Sequence, residues 1–272
     1  MQKVVRKLLR AVAGYDPAYY DMYADSNEAF FARLYLARML RHLREAGLIP
    51  PAHILDVGCQ TGRLAIPLAR HGFQVTGVDT SGFALRRARR HAARAGVSVR
   101  WWHGDVLEVL ARAANERFDA IVCAEVLYLA RNYRAMLEAM AAALRPRGVL
   151  FVSHRPSLYY FIEALRHDNL VTARQTLAGH EGEFEGPFPE RGYYNWQDED
   201  DLRALYKSLG LRWVAVYPID RYAWLSGISP SQLTGAQRDQ WLQLELEPDG
   251  VAAMCARYAL VVAAKRESGA AA

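Results

Sequence analysis

Ile54-Leu55-Asp56-Val57-Gly58-Cys59-Gln60-Thr61-Gly62 is an apolar run that reaches an acid and then breaks into a glycine-bearing turn. A second run ends the same way at Val78-Asp79. Short, nearly continuous apolar stretches of this kind read as strands buried on both faces of a parallel sheet. In open α/β sheets ligands bind at the carboxyl ends of the strands, which is where both acids fall. Two carboxylates one helix apart suit a nucleoside: one orders the loop or meets an ammonium, the other takes ribose hydroxyls. A nicotinamide or flavin dinucleotide fits less well, because its pyrophosphate needs G-x-G-x-x-G and bare backbone at a helix N-terminus. The second and third glycines of that pattern would fall at Gln60 and Arg63, whose side chains would crowd the phosphates.

Outward from this stretch, strand and helix patterns alternate over residues 53–154. Trp101-Trp102-His103-Gly104-Asp105-Val106 carries a third strand end. Phe118-Asp119-Ala120-Ile121-Val122-Cys123-Ala124-Glu125-Val126-Leu127 carries a fourth, and Leu144-Arg145-Pro146-Arg147-Gly148-Val149-Leu150-Phe151-Val152 turns into a fifth. In this order the five stretches resemble the class I S-adenosylmethionine-dependent methyltransferases, in the branch that modifies small molecules and quinone precursors. The family string is acid-x-Gly-x-Gly-x-Gly; this chain keeps Asp56, Gly58 and Gly62 and carries Gln60 at the middle glycine.

The resemblance implies an α/β fold: a Rossmann-like, seven-stranded, mostly parallel sheet with helices on both faces, an N-terminal helical cap and substrate-side insertions. It implies S-adenosylmethionine as cofactor, S-adenosylhomocysteine as product, and no metal. It assigns Asp56, Gly58 and Gly62 to the cofactor loop, Asp79 to the ribose, Asp105 to the adenine amino group and Glu125 to the cofactor-facing turn, with Thr80 and Val106 as further cofactor-binding residues. Tyr20 is placed among the cofactor-binding residues; Tyr15, Tyr20 or Tyr23 could hydrogen-bond the methionine carboxylate or line the substrate pocket. The implied activity is methyl transfer to oxygen, nitrogen or an activated carbon of a small molecule. An RNA or protein methyltransferase and a non-catalytic cofactor-binding partner subunit are the alternatives. The turn Ala124-Glu125-Val126-Leu127-Tyr128 lacks both the Asp/Asn-Pro-Pro-aromatic string of amino methyltransferases and the Pro-Cys nucleophile of cytosine-C5 enzymes.

A methyl acceptor that must lose a proton calls for a base, and histidine suits that role near neutral pH. His154, just after the fifth strand, is the first candidate, and Glu125 is the second, as a group that polarises the acceptor. The aromatic residues Tyr19, Tyr159, Tyr193, Tyr194 and Trp196 are candidates to line a flat, partly apolar acceptor pocket.

The 272 residues suffice for one large domain with a sizeable core. We read residues 1–50 as the cap, 51–154 as the cofactor half and 155–197 as a substrate-side insertion. Residues 198–267 supply a helix and two closing antiparallel strands, interrupted by a long insertion at 218–254 that could lid the site or build a dimer contact. Hydrophobic content of 52% and charged content of 23% describe an ordinary globular protein, and no apolar run is long enough to span a bilayer. The net charge of +5 is spread along the chain, and its densest cluster, Arg86-Arg87-Ala88-Arg89-Arg90, reads as a solvated helix face, so a nucleic-acid partner is disfavoured. Residues 1–12 form a basic amphipathic pattern that packs on the domain or touches a membrane weakly. Cys59, Cys123 and Cys255 have neither metal nor redox spacing and read as small hydrophobes in a reducing, cytoplasmic compartment.

Overall fold

The computed structural model describes residues 20–186, 191–247 and 252–267. Helix α1 (Ser26–Glu45) opens the described chain, capped by Asp25, whose carboxylate accepts from the amides of Asn27 and Glu28. Alternation then follows: β1 (His53–Val57), α2 (Ala65–Arg70), β2 (Gln74–Asp79), α3 (Gly82–Arg94), β3 (Arg100–His103), α4 (Val106–Arg112), β4 (Phe118–Cys123), α5 (Tyr133–Ala143) and β5 (Leu144–His154). The insertion holds α6 (Ser157–Arg166), α7 (Leu170–Ala178) and a hairpin of β6 (Glu181–Phe184) with β7 (Gly192–Asn195). Closing the chain are α8 (Glu199–Ser208), β8 (Leu211–Ile219), α9 (Tyr222–Ser226), α10 (Gly235–Leu246) and β9 (Tyr258–Lys265).

Seven strands form one sheet in the order β3-β2-β1-β4-β5-β9-β8. The first five run parallel, and β9 pairs antiparallel with both β5 and β8. Strand residues alternate between the two faces, as a period of two requires. Leu55, Ile121, Leu150, Val152 and Val261 face α4, α5 and α8, whereas Ile54, Ala120, Val122, Phe151 and Val262 face α1 and α2. The strand order reverses between β1 and β4, and such a switch point leaves a crevice at the carboxyl edge.

Three elements differ from the sequence expectation. Helix α4 was not expected; its apolar face is short, with Val106, Val109 and Leu110 buried, and its start is set by Asp105, whose Oδ1 accepts from the Leu107 amide at 2.8 Å. The turn expected at Arg145–Gly148 is absorbed as a bulge within β5, because the register jumps from Phe118↔Leu144 to Ala120↔Val149. Gly148 is needed there, since a Cβ would lie 2.8 Å from the Arg145 carbonyl. The stretch after Gly179, whose glycine-, proline- and acid-rich composition reads as a loop, forms the β6–β7 hairpin, and an aromatic cluster of Tyr159, Tyr160, Phe184, Trp196 and Trp224 packs beside it. The expected helix after Asp198 is present, closed by a capping box with Asp201.

Candidate active site

A cavity of about 450 Å³ opens at the carboxyl ends of β1, β2 and β4. Its walls bring together Asp56, Gly58, Gln60, Asp79, Thr80, Asp105, Val106 and Glu125, drawn from turns that are far apart in the chain. Gly58 has φ +71 and its amide donates to the Val78 carbonyl; a Cβ there would sit 2.3 Å from a methyl of Val126. Backbone alone therefore forms that part of the wall.

The acids do different work. Asp79 is spanned by two backbone amides, Gln60 to Oδ2 at 2.9 Å and Ser81 to Oδ1 at 2.8 Å, so it joins the β1 turn to the start of α3. Burial raises its pKa, and these amides oppose the rise. Asp56 is more deeply placed, and burial pushes its carboxyl up to about 7, against the pull of Arg63; its Oδ2 has no partner. Asp105 caps α4 while lining the cavity.

Arg63 forms the rear of the cavity. Its guanidinium, 6% exposed, lies between Glu28 of α1 and Glu125 of the β4 turn, meeting Glu125 Oε1 at 3.0 Å and forming a second ion pair with Glu28. Burial works against all three charges. Arg63 nonetheless outweighs burial at Glu125 and holds that carboxyl below its usual range, whereas Glu28 is left raised by its burial. Glu125 adopts φ +62, and its amide donates to Ser153 Oγ at 2.6 Å, which fixes the turn against β5.

A methyltransferase domain model matches residues 54–148, the segment that carries these turns. This segment is a methyltransferase domain. Its curated relatives include the ubiquinone biosynthesis O-methyltransferase of Coxiella burnetii, 36% identical over 114 residues, which cover 42% of this chain and 48% of that protein. The enzyme of the same name from Serratia proteamaculans is 38% identical over 111 residues, covering 41% and 46%. The chain thus spans about half the length of the curated relatives it matches. Among solved structures, magnesium protoporphyrin IX methyltransferase from Synechocystis PCC 6803 with bound S-adenosylhomocysteine superposes with a TM-score of 0.61 at 16% identity, covering 97% of this chain and all of that one. The 1,6-didemethyltoxoflavin N1-methyltransferase of Burkholderia thailandensis gives 0.56 at 19% identity, over 98% and 89%. These likenesses show that the methyltransferase domain has the Rossmann-like class I fold.

Beside the domain's cavity lies a second of about 560 Å³, over the ends of β5 and β8 and the start of β9. Phe31, Tyr159 and Trp224 give it flat walls; Glu28, Asp220 and Arg257 give it charge. Since Glu28 lines the second cavity and Arg63 the first, their ion pair is a partition between the two. Tyr20 lies on this partition rather than in the first cavity, donating its hydroxyl to Glu28 Oε1 at 3.2 Å.

Several residues named from the sequence are elsewhere. His154 lines neither cavity: it is 1% exposed, with Nε2 at 2.9 Å from the Tyr206 hydroxyl of α8 and Nδ1 at 3.3 Å from Gln197 Oε1. Burial pushes its pKa down to about 4, so it is a neutral packing group. The reason is parity, since 154 shares its face with Leu150 and Val152. Trp196 is fully buried, stacked on Phe184 at 5.1 Å and donating to the Gly179 carbonyl at 2.6 Å. Tyr194 stacks on the other side of this cluster, and Tyr193 donates to Glu181 across the hairpin. Gly62 serves packing, as a Cβ would meet Ile66 at 2.7 Å. Tyr159 alone of the aromatic candidates lines the second cavity, while Tyr19 and residues 1–12 lie outside the described residues. Sequence reasoning missed Glu28, Arg63, Asp220 and Arg257. Only Arg63 carried a local signal, as a lone cation directly after the glycine turn. Among the described residues no helix is long and apolar enough to cross a membrane.

Proposed function

We propose that the protein binds S-adenosylmethionine in the first cavity and transfers its methyl group to a small molecule held in the second. The observation that carries this reading is the gathering of Asp56, Asp79 and Asp105 from the ends of three neighbouring parallel strands around one cavity, with the Glu125 turn opposite. The residues fit the cofactor. Gly58 leaves bare backbone for close approach, Asp79 offers a carboxylate for ribose hydroxyls, and Asp105 stands at the far rim for an adenine amino group. The unpartnered Oδ2 of Asp56 is available at the floor. When bound, the cofactor supplies an activated methyl group with its own leaving group, so the protein's task is alignment and exclusion of water.

The remaining assignments follow from position. Arg63 keeps Glu125 ionised and holds α1 against the β4 turn, which fixes the partition across which donor and acceptor meet. Insertions 155–197 and 218–254 supply Tyr159, Asp220 and Trp224 to the acceptor side. The relatives named as O-methyltransferases, and the solved neighbour crystallised with S-adenosylhomocysteine, support this reading.

The test is a calorimetric titration of S-adenosylhomocysteine into the wild-type protein and Asp79→Asn, followed by transfer of labelled methyl into small-molecule extracts. Binding to the wild type should weaken about 10- to 100-fold in the variant, the loss of charge-assisted hydrogen bonds worth ~1.5–3 kcal/mol. Equal affinity in a folded Asp79→Asn variant refutes the ribose assignment, and no binding to the wild type refutes the whole reading.

A further inference from the structure

Three arginines around the partition have carboxylate partners. Arg63 meets Glu28 and Glu125, Arg166 meets Glu163 at 2.7 Å, and Arg257 meets Asp220 at 3.2 Å. Arg155, the residue after β5, meets no carboxylate among the described residues, although it is 5% exposed. Its Nη2 donates to the Tyr258 hydroxyl at 2.8 Å, and its Nε and Nη1 are buried without a partner. Four tyrosine rings surround it: Tyr159 and Tyr258 at 4.1 Å, Tyr128 at 4.5 Å and Tyr160 at 5.7 Å from the guanidinium carbon.

The rings compensate the charge in part, by roughly 0.5–2 kcal/mol each. They do so through their faces and leave N–H donors unmet. A buried guanidinium with open donors is costly unless an anion answers it. Arginine's planar fork matches a carboxylate in two parallel hydrogen bonds. Tyr159 is the route, because the same ring packs on Arg155 and lines the second cavity. Arg155 itself lines neither cavity, and only the Tyr159 ring separates it from the second.

We infer that Arg155 is the docking group for a carboxylate carried by the methyl acceptor, so that the second cavity selects planar acidic molecules. This rests on the reading of the first cavity as the cofactor site. Rotation of Tyr159 off the guanidinium opens Nε and Nη1 to the second cavity, and the rings of Phe31 and Trp224 then flank the body of the acceptor. The methionine end of the cofactor also carries a carboxylate, and competition separates the two sources.

Benzoate and its uncharged isostere benzamide are the probes, titrated into the wild-type protein saturated with S-adenosylhomocysteine and into Arg155→Met and Arg155→Lys treated alike. Benzoate should bind the wild type at least tenfold tighter than benzamide. Arg155→Met should abolish that preference while binding S-adenosylhomocysteine within twofold of the wild type, and Arg155→Lys should keep part of it. Ligand-free Arg155→Met should still unfold in one cooperative transition, so that a lost preference is read on a folded protein. Equal binding of benzoate and benzamide to the wild type, or a preference that survives either substitution undiminished, overturns the inference. So does displacement of S-adenosylhomocysteine by benzoate, which would give Arg155 to the cofactor. Failure of S-adenosylhomocysteine to bind the wild type appears in the first titration and strikes the underlying reading instead.

Discussion

Replacing Gln60 by glycine, the residue usual at this position in the family string, should loosen residues 20–24 from the cofactor loop without much change in overall stability. Gln60 sits at φ +45, a left-handed conformation that costs a non-glycine residue about 1 kcal/mol. Its side chain ties down the segment before α1: Oε1 accepts from the Met22 amide at 3.2 Å, and Nε2 donates to the Tyr20 carbonyl at 2.9 Å. It also accepts from the Thr61 hydroxyl at 2.8 Å, which orients that oxygen to take the Tyr23 amide at 3.0 Å. The two direct hydrogen bonds are worth ~0.5–1.5 kcal/mol each, so about 2 kcal/mol of local closure is lost, on the order of a 30-fold rise in opening. Relief of the left-handed strain is the same whether the segment is open or closed, so it cancels from local opening. It does enter global unfolding, where it offsets part of the loss. The Asp21–His91 contact at 3.0 Å and the Tyr23–His91 stack at 4.7 Å remain in both proteins. Native-state hydrogen exchange reads the outcome. The Met22 and Tyr23 amides should exchange about 30-fold faster in Gln60→Gly, with the slowest core amides of β1 and β4 changed far less. Exchange of Met22 and Tyr23 within threefold of the wild type would refute the argument.

Two further outcomes concern residues named from the sequence that line neither cavity. His154→Ala should leave S-adenosylhomocysteine affinity unchanged and destabilise the fold by about 3 kcal/mol in chemical denaturation, because Tyr206 and Gln197 lose their buried partner. The wild type, unlike this variant, should carry a pH-linked stability from the histidine. Its folded pKa of about 4 lies below the unfolded value of ~6.5, so the contribution is full above that value and is lost as pH falls toward 4. Identical pH profiles for the two proteins would contradict the burial argument. Trp196→Ala should cost about 3–5 kcal/mol and spare cofactor binding, since the ring fills the cluster under the hairpin and touches neither cavity; a loss below 1 kcal/mol in the same denaturation assay would count against that placement.

The fold was legible where local pattern and tertiary role coincide. An apolar strand ending on an acid has that acid at the carboxyl edge whichever helices pack around it, so Asp56, Asp79, Asp105 and Glu125 could be named from sequence and are found around one cavity. The start of helix α10 is likewise a local matter, since Thr234 and Gln237 form a capping box there. Reading failed where a role depends on which way a side chain points. His154 and Arg155 are neighbours at the end of one strand, and alternation sends the first into α8 and the second among the tyrosines beside the partition. The histidine was chosen for its chemistry, whereas parity with Leu150 and Val152 already placed it in the core.

The sequence by itself determined the alternation of strand and helix, the acids at the strand ends and hence the cofactor side of the sheet, because these follow from contacts within about 30 residues of chain. Only the tertiary structure decided the second cavity. Glu28, Arg63 and Glu125 meet across nearly 100 positions, and Asp220 and Arg257 join them from the far end of the chain. No local periodicity encodes such a meeting; it exists because α1 packs on the sheet and β9 returns antiparallel beside β5, bringing distant charges together at one edge of the sheet.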